Sequence, residues 1–183
     1  MRARIKMIHF ERIRNKTHPA YSCALKLYQS SFPIHEQREE LSQAKILCDN
    51  AYHFELIYDA EVFIGLVLYW ETANYIYIEH LCILPEMRNK QYGQKTLSLI
   101  NKKQKIIILE IDPPIDEISK RRKAFYEKCG FVENIYSHIH PAYHRGDEGR
   151  ALVVMSRPIP ISQDQYDNFN VYLRDKIMKD AFA

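Results

Sequence analysis

Tyr75–Ile100 reads YIYIEHLCILPEMRNKQYGQKTLSLI, and the rest of the chain is organised around this stretch. It opens as a strand in which Ile76, Ile78, Cys82 and Leu84 alternate with Tyr75, Tyr77, Leu81 and Ile83, interrupted by Glu79 and His80. Both faces are largely apolar, as in a strand covered on both sides. Pro85 has no N–H to give a ladder and ends it. The loop Arg88-Asn89-Lys90-Gln91-Tyr92-Gly93 follows, then an amphipathic segment carrying Leu97 and Ile100. A strand, a basic loop with glycine and a helix start present bare backbone N–H groups and a positive dipole end to an anion. A phosphate-bearing ligand is the first expectation.

The chain has 183 residues, of which 46% are hydrophobic and 27% charged, as expected of one globular domain rather than a disordered segment. A net charge of +3 tolerates an acidic ligand but falls short of a nucleic-acid-binding signature. Cys23, Cys48, Cys82 and Cys129 stand far apart without metal or disulfide spacing, and read as buried small apolar residues in a reducing compartment. The N-terminal residues lack the apolar core of a secretory signal, and the longest uncharged apolar run, Val62 to Trp70, is too short to span a bilayer. The expected location is cytoplasmic.

Ile5, Met7 and Phe10 suggest a first strand. Tyr21, Ala24, Leu25 and Tyr28 share one helical face, stopped by Pro33. From Glu36 a second helix is expected, with Leu41, Ala44 and Cys48 as its inner stripe. His53 to Asp59 and Val62 to Trp70 form a hairpin, and Gly65 within it marks a bulge or a close backbone approach. Ile106 to Ile111 is a continuous β-branched run, hence a covered strand. Asp116 to Cys129 is a helix with Ile118, Arg122, Phe125 and Cys129 on one stripe, stopped by Gly130. Phe131 to Ile139 and Ala151 to Met155 are further strands. A final helix, Ser162 to Met178, turns Tyr166, Phe169, Leu173 and Ile177 to one side.

The expected fold is α/β: a mixed, mostly antiparallel twisted sheet with helices on both faces, two strand–helix–strand units supplying parallel crossovers. Residues 1–160 make one domain, and residues 161–183 add a C-terminal helix docked on it.

At this point the chain resembles the GCN5-related N-acetyltransferase (GNAT) superfamily. Ile83-Leu84-Pro85 followed by Arg88 to Gly93 resembles its acetyl-CoA motif. Arg121 to Phe131, with FYEKCGF, resembles its helix ending in FYEKxGF. The element order matches from the start to about Met155. The sequence departs from the motif at Gln91, which stands where the first glycine is expected, leaving either an ordinary conformation or a narrower pyrophosphate cradle. It departs again at Ser119, where many members carry an asparagine against the pantetheine arm.

The resemblance implies an acetyl-CoA-dependent N-acetyltransferase, acetyl-CoA being a co-substrate and no metal being required. The N–H groups of Gln91, Tyr92, Gly93, Gln94 and Lys95 would meet the pyrophosphate, with charge from Arg88 and help from Lys90, Lys95 and Arg122; read alone, these cations are a solvated basic loop. Leu81, Cys82 and Ile83 would pair their backbone with the pantetheine amides, and Ser119 would border the same arm. Tyr126 would be the general acid toward the departing thiolate, although one tyrosine among 13 is as readily a core residue. Glu79 would be the base, its burial raising its pKa; its structural alternative is a carboxylate paired with a nearby Lys or Arg. His80 is expected on the opposite strand face. Glu110 is a second candidate base. His138, His140 and His144 form no complete metal set and are placed, with Ser137 to Arg150 and Phe32 to Arg38, around the acceptor pocket.

Two other classes fit the same residues. One is a non-catalytic or other-acyl-CoA-binding relative. The other is a nucleic-acid-binding module using Lys102 to Lys105 and Arg121 to Lys123, which the low net charge disfavours. The expected partner is a small-molecule or peptide amine, without nucleic acid or membrane, for a monomer or homodimer.

Overall fold

The computed structural model describes residues 8–182. Its strands are β1 (Ile8–Ile13), β2 (Tyr52–Asp59), β3 (Val62–Glu71), β4 (Tyr75–Ile83), β5 (Ile106–Ile111), β6 (Val132–Glu133), β7 (His138–His140) and β8 (Arg150–Arg157). The helices are α1 (Tyr21–Ser31), α2 (Glu40–Ile46), α3 (Tyr92–Asn101), α4 (Glu117–Lys128) and α5 (Gln163–Tyr172). A one-turn π-helical extension, Leu173–Ile177, continues α5. Of the residues expected in the first strand, Phe10 lies in β1, whereas Ile5 and Met7 fall outside the described residues.

The sheet runs β1-β2-β3-β4-β5-β8-β6, with β7 paired to β8. Among the described residues every pair is antiparallel except β4/β5, which the crossover helix α3 joins. The second expected crossover is displaced by one strand. Both β5 and β6 run antiparallel to β8, so β6 is parallel to β5 but separated from it. The single strand expected over Phe131 to Ile139 breaks in two, because Asn134 turns inward there. Its backbone N–H and side-chain amide both bond the Val154 carbonyl, and its Oδ1 accepts from the Ile161 N–H.

One sheet face packs Phe54, Leu68, Trp70 and Tyr77 against Tyr28 of α1 and Tyr166 and Phe169 of α5, with Leu173 and Ile177 beyond. The other packs Val67, Ile76, Ile78 and Leu109 against Leu97 and Ile100 of α3. The faces expected of α1, α3 and α5 are therefore the buried ones. Those of α2 and α4 are not. Leu41 is 77% exposed, and α2 turns Ser42 and Gln43 inward, Gln43 donating to the Tyr52 hydroxyl at 2.8 Å. On α4 the inner stripe is Ser119, Lys123 and Tyr126, leaving Ile118 72% exposed. Both helices cover cavity or polar surface rather than oily core, so apolar spacing misreports their orientation. Cys82 and Cys129 are buried as expected, but Cys23 and Cys48 are exposed.

Two irregularities shape the sheet around β4. A Cβ on Gly65 would stand 2.3 Å from the Cys82 carbonyl oxygen, so only glycine lets β3 approach β4 there. The β3/β4 register runs Leu68↔His80 and then Tyr69↔Ile78, leaving Glu79 as an extra residue. That bulge resets the alternation.

Candidate active site

Pairing of β4 with β5 stops at Ile78↔Leu109. Beyond it the two strands diverge, and among the described residues the outer edge of β4 from Glu79 to Ile83 faces no strand. A cavity of about 950 Å³ opens in this fork. Ile78 to Cys82 and Leu109 to Asp112 line its two arms, Arg122 and Tyr126 enter from α4, and the Ser31–Glu36 and His140–Glu148 segments enclose the far end.

The bulge places Glu79 and His80 on the same side of the sheet, against the simple alternation expected of a strand. Glu79 Oε1 accepts from Arg38 Nη2 at 3.2 Å and from the Tyr143 hydroxyl at 2.8 Å, and Oε2 accepts from Trp70 Nε1 at 2.9 Å. Burial pushes this carboxyl up, but Arg38, His80 and the two hydrogen bonds outweigh it, and the group lies below its ordinary value. The rise expected from burial alone is thus reversed, and Glu79 is held ionised by a buried, permanent cation. His80 donates Nε2–H to the Glu36 carbonyl at 2.9 Å, while its Nδ1 finds no partner among the described residues. Burial pushes His80 below its ordinary value, so this imidazole is neutral at physiological pH.

Glu110, from β5, occupies the opposite arm. Oε2 accepts from the Tyr77 hydroxyl at 2.6 Å, and Oε1 is in contact with His138 Nε2. His140 Nε2 lies 3.7 Å from Oε2. Burial again raises the carboxyl, and the two histidines with the Tyr77 bond bring it below its ordinary value. Unlike Glu79, its nitrogen partners are imidazoles rather than a guanidinium.

Tyr126 faces the fork with its ring against Phe125 and Phe131. Burial, against a smaller opposing effect of Arg122, pushes its phenol up to about 12, so it holds its proton at working pH. Arg122 bonds Asp112 at 2.7 Å, and Asp112 also accepts from Arg150 at 2.7 Å. Arg150 in turn reaches Glu36 at 2.5 Å. This ladder joins α4, β5, β8 and the loop after α1 across the cavity. Of the ladder and its neighbours, Glu36, Arg38, His140, Tyr143 and Arg150 lie in the two segments that the resemblance placed around the pocket; Asp112 carried no such signal, and alternation had put His80 on the other face.

The residues expected to hold a cofactor separate into groups. Leu81, Cys82, Arg88 and Arg122 line the cavity, and Ile83 follows on the same open edge. Arg88 Nε donates to the Ile83 carbonyl at 3.2 Å. Gln91, Tyr92, Gly93, Gln94 and Lys95 lie outside it, at the start of α3. Gln91 caps α3 with φ 64°, and Asn89 has φ 62°. Gln91 therefore takes the left-handed conformation itself, rather than an ordinary one, so the turn into α3 forms without glycine. Gly93 lets α3 meet α4: an added Cβ would lie 3.0 Å from Phe125 Cζ. Ser119 is occupied by the α4 cap, its N–H donating to Asp116 Oδ1 at 2.8 Å and its hydroxyl accepting from the Asp116 N–H at 3.1 Å. His144 donates Nε2–H to the Ile34 carbonyl at 2.8 Å.

An open strand edge, a helix N-terminus preceded by left-handed residues and a tyrosine aimed into the fork are the parts of an acyl-CoA N-acyltransferase fold. Residues 50–133 match the family model described as acetyltransferase (GNAT) domain. Over these residues the chain is similar to that family. A Bacteroides thetaiotaomicron protein assigned to the GNAT acetyltransferases superimposes with a TM-score of 0.86 at 27% identity, covering 93% of this chain and 98% of that one. The ribosomal-protein-S18-alanine N-acetyltransferase of Escherichia coli gives 0.55 at 16%, covering 86% and 97%. A Bacillus subtilis acetyltransferase in complex with CoA gives 0.54 at 14%, covering 82% and 96%. At these lower identities the likeness is one of fold. No curated protein matches the sequence. No helix among the described residues is long and apolar enough to cross a membrane.

Proposed function

We propose that the protein transfers the acetyl group of acetyl-CoA to a primary amine by direct attack within a ternary complex. The observation that carries this reading is the fork between β4 and β5, which brings an unpaired strand edge, the Tyr126 phenol and the Glu110 carboxylate to one cavity. The CoA held by the B. subtilis structure of the same fold supports the choice of donor.

The residues present fit this co-substrate. The outward-facing backbone edge of Leu81 to Ile83, whose Ile83 carbonyl also meets Arg88, suits the amides of an extended arm laid along it as an added strand. The left-handed turns at Asn89 and Gln91 and the N-terminus of α3, with Arg88 beside them, suit a pyrophosphate. Acetyl-CoA supplies an activated thioester carbonyl and a thiolate leaving group. Tyr126 retains its proton until a thiolate forms and then donates it.

Glu110 takes the proton of the incoming ammonium, directly or through a water. Glu79 is equally ionised, but the buried guanidinium of Arg38 stabilises its charge permanently and weakens it as a base. Cys82 also lines the cavity, yet burial pushes its thiol up, against smaller effects of Ser31 and Arg88. A thiol kept protonated is a poor acyl carrier, which favours direct attack over an acyl-enzyme. The acceptor enters between the Phe32–Glu36 and Pro141–Glu148 segments.

The test is release of free CoA thiol from acetyl-CoA across small diamines, amino acids, aminoglycosides and peptides with free N-termini. An amine-dependent thiol signal with a matching acetylated product is expected. A total lack of thiol release, with no calorimetric heat from acetyl-CoA at millimolar concentration, contradicts the reading.

A further inference from the structure

The Glu110 carboxylate is the near end of a hydrogen-bonded chain leading out of the cavity. His138 touches Oε1 through Nε2, and its side chain is fully sealed from solvent. Its Nδ1 lies 3.0 Å from the Tyr166 hydroxyl, which lies 3.2 Å from the Ser137 carbonyl. Tyr166 belongs to α5, 28 residues further along the chain than His138. Its ring stacks on Tyr136 at 4.2 Å, and Tyr136 donates to the Ile161 carbonyl at 2.7 Å. Phe169, also on α5, stacks against the His138 imidazole at 5.9 Å.

Donor and acceptor chemistry gives this chain a direction. The Ser137 carbonyl only accepts, so it takes the Tyr166 hydroxyl proton. The Tyr166 oxygen is then free to accept Nδ1–H from His138. One proton remains for the gap between His138 Nε2 and Glu110. Tyr77 donates to the other carboxylate oxygen from β4, and His140 turns Nδ1–H to the Pro141 carbonyl at 2.6 Å. Arg150 and Asp112 lie further along the same cavity but are engaged with each other.

We propose that His138, held by Tyr166 of the C-terminal helix, is a positioning residue that orients the Glu110 carboxylate and keeps it ionised. The helix after the acetyltransferase domain is then part of the catalytic apparatus, not only a cover for the sheet. This rests on the reading of Glu110 as base, and deepens it by naming what holds that base in its working state. Without the His138 imidazole, burial is opposed only by His140 and the Tyr77 bond, and the Glu110 carboxyl moves up.

Two variants test this. Tyr166→Phe removes one hydroxyl and keeps the stack on Tyr136, so it preserves the fold even where His138→Gln does not. The carboxyl carbon of Glu110 is followed by 13C NMR against pH in glutamate-labelled protein, assigned by its loss in Glu110→Gln. This readout needs no substrate. Glu110 is expected to titrate at higher pH in Tyr166→Phe than in the native protein, and higher still in His138→Gln. An unmoved Glu110 titration in both folded variants overturns the proposal. In the kinetic arm, His138→Gln is expected to lower kcat roughly ten-fold or more, with the KM for acetyl-CoA unchanged. Tyr166→Phe is expected to lower kcat/KM several-fold in mildly acidic buffer and to leave it unchanged in alkaline buffer. Equal loss at every pH shows a merely structural role and overturns the proposal. A protein inactive with every amine, in which the Glu110 titration still moves, overturns the acetyl-transfer reading alone.

Discussion

Arg38 Nη2 lies 3.2 Å from Glu79 Oε1, with both side chains almost completely removed from solvent. Arg38 also donates to the Ile177 carbonyl at 2.9 Å, so one guanidinium joins the segment after α1, the β4 bulge and the end of the C-terminal helical segment. Removing one member of a buried pair leaves a stranded charge, which typically costs about 3–5 kcal/mol. Arg38→Met is expected to destabilise by this order in urea unfolding. Arg38→Met/Glu79→Gln, which removes the stranded charge, is expected to be more stable than Arg38→Met alone. A double variant no better than the single one contradicts the assignment.

Acid should destabilise the fold in two stages. His80 lies below its ordinary value of 6.5, so the unfolded chain binds the extra proton first. Stability from this group is complete above that value and falls as pH drops toward the lowered one. Glu79 and Glu110 lie below their ordinary 4.5, so their contribution is complete above 4.5 and is lost as pH falls through their folded values. Urea midpoints measured against pH should show both declines. His80→Gln should remove the upper one and spare the lower.

Gln91 holds a left-handed conformation at the N-terminus of α3, with φ 64°. Such a backbone costs a non-glycine residue about 1–2 kcal/mol, while glycine costs about 0.5–1 kcal/mol in unfolded-state entropy. Gln91→Gly should therefore leave stability within about 1 kcal/mol of native and acetyl-CoA affinity undiminished. Gln91→Val, β-branched at positive φ, should lose both. Calorimetric titration with acetyl-CoA checks the pair; weaker binding by Gln91→Gly speaks against the cradle.

Gly65 is fixed by its neighbour. The atom that an added methyl would meet, at 2.3 Å, is a backbone carbonyl oxygen, which cannot swing aside. Gly65→Ala should cost toward the upper end of about 1–3 kcal/mol and push β4 outward at Cys82, on the edge that borders the cavity. Thermal unfolding together with acetyl-CoA titration should show both losses. Unchanged stability would mean that β3 and β4 are not so tightly opposed.

Much of the fold was legible because it rests on local patterns. The alternation from Tyr75 to Ile78, the stop at Pro85, the α1 face of Tyr21, Leu25 and Tyr28, and the β-branched run at Ile106 each report a nearby physical constraint. The site was less legible, because its decisive contacts are remote in sequence. Arg38 meets Glu79 across 41 residues and Ile177 across 139. The bulge at Glu79 also inverted the inference about His80, since alternation assumes an unbroken ladder. On α2, Ser42 and Gln43 face inward for hydrogen bonds, which hydrophobic spacing cannot register. Glu110, second choice as base from sequence, rises because the histidines beside it come from β7, beyond a helix and a broken strand.

The central claim is that the fork between β4 and β5 performs acetyl transfer with Glu110 as base and Tyr126 as acid. Its most direct test is the rate of CoA release at saturating acetyl-CoA, with an accepted amine, for the native protein, Glu110→Gln and Tyr126→Phe. The account predicts that Glu110→Gln loses about 10²–10⁴-fold in kcat, that Tyr126→Phe is slowed at the same step, and that both bind CoA with native affinity. Native rates in both variants would contradict it.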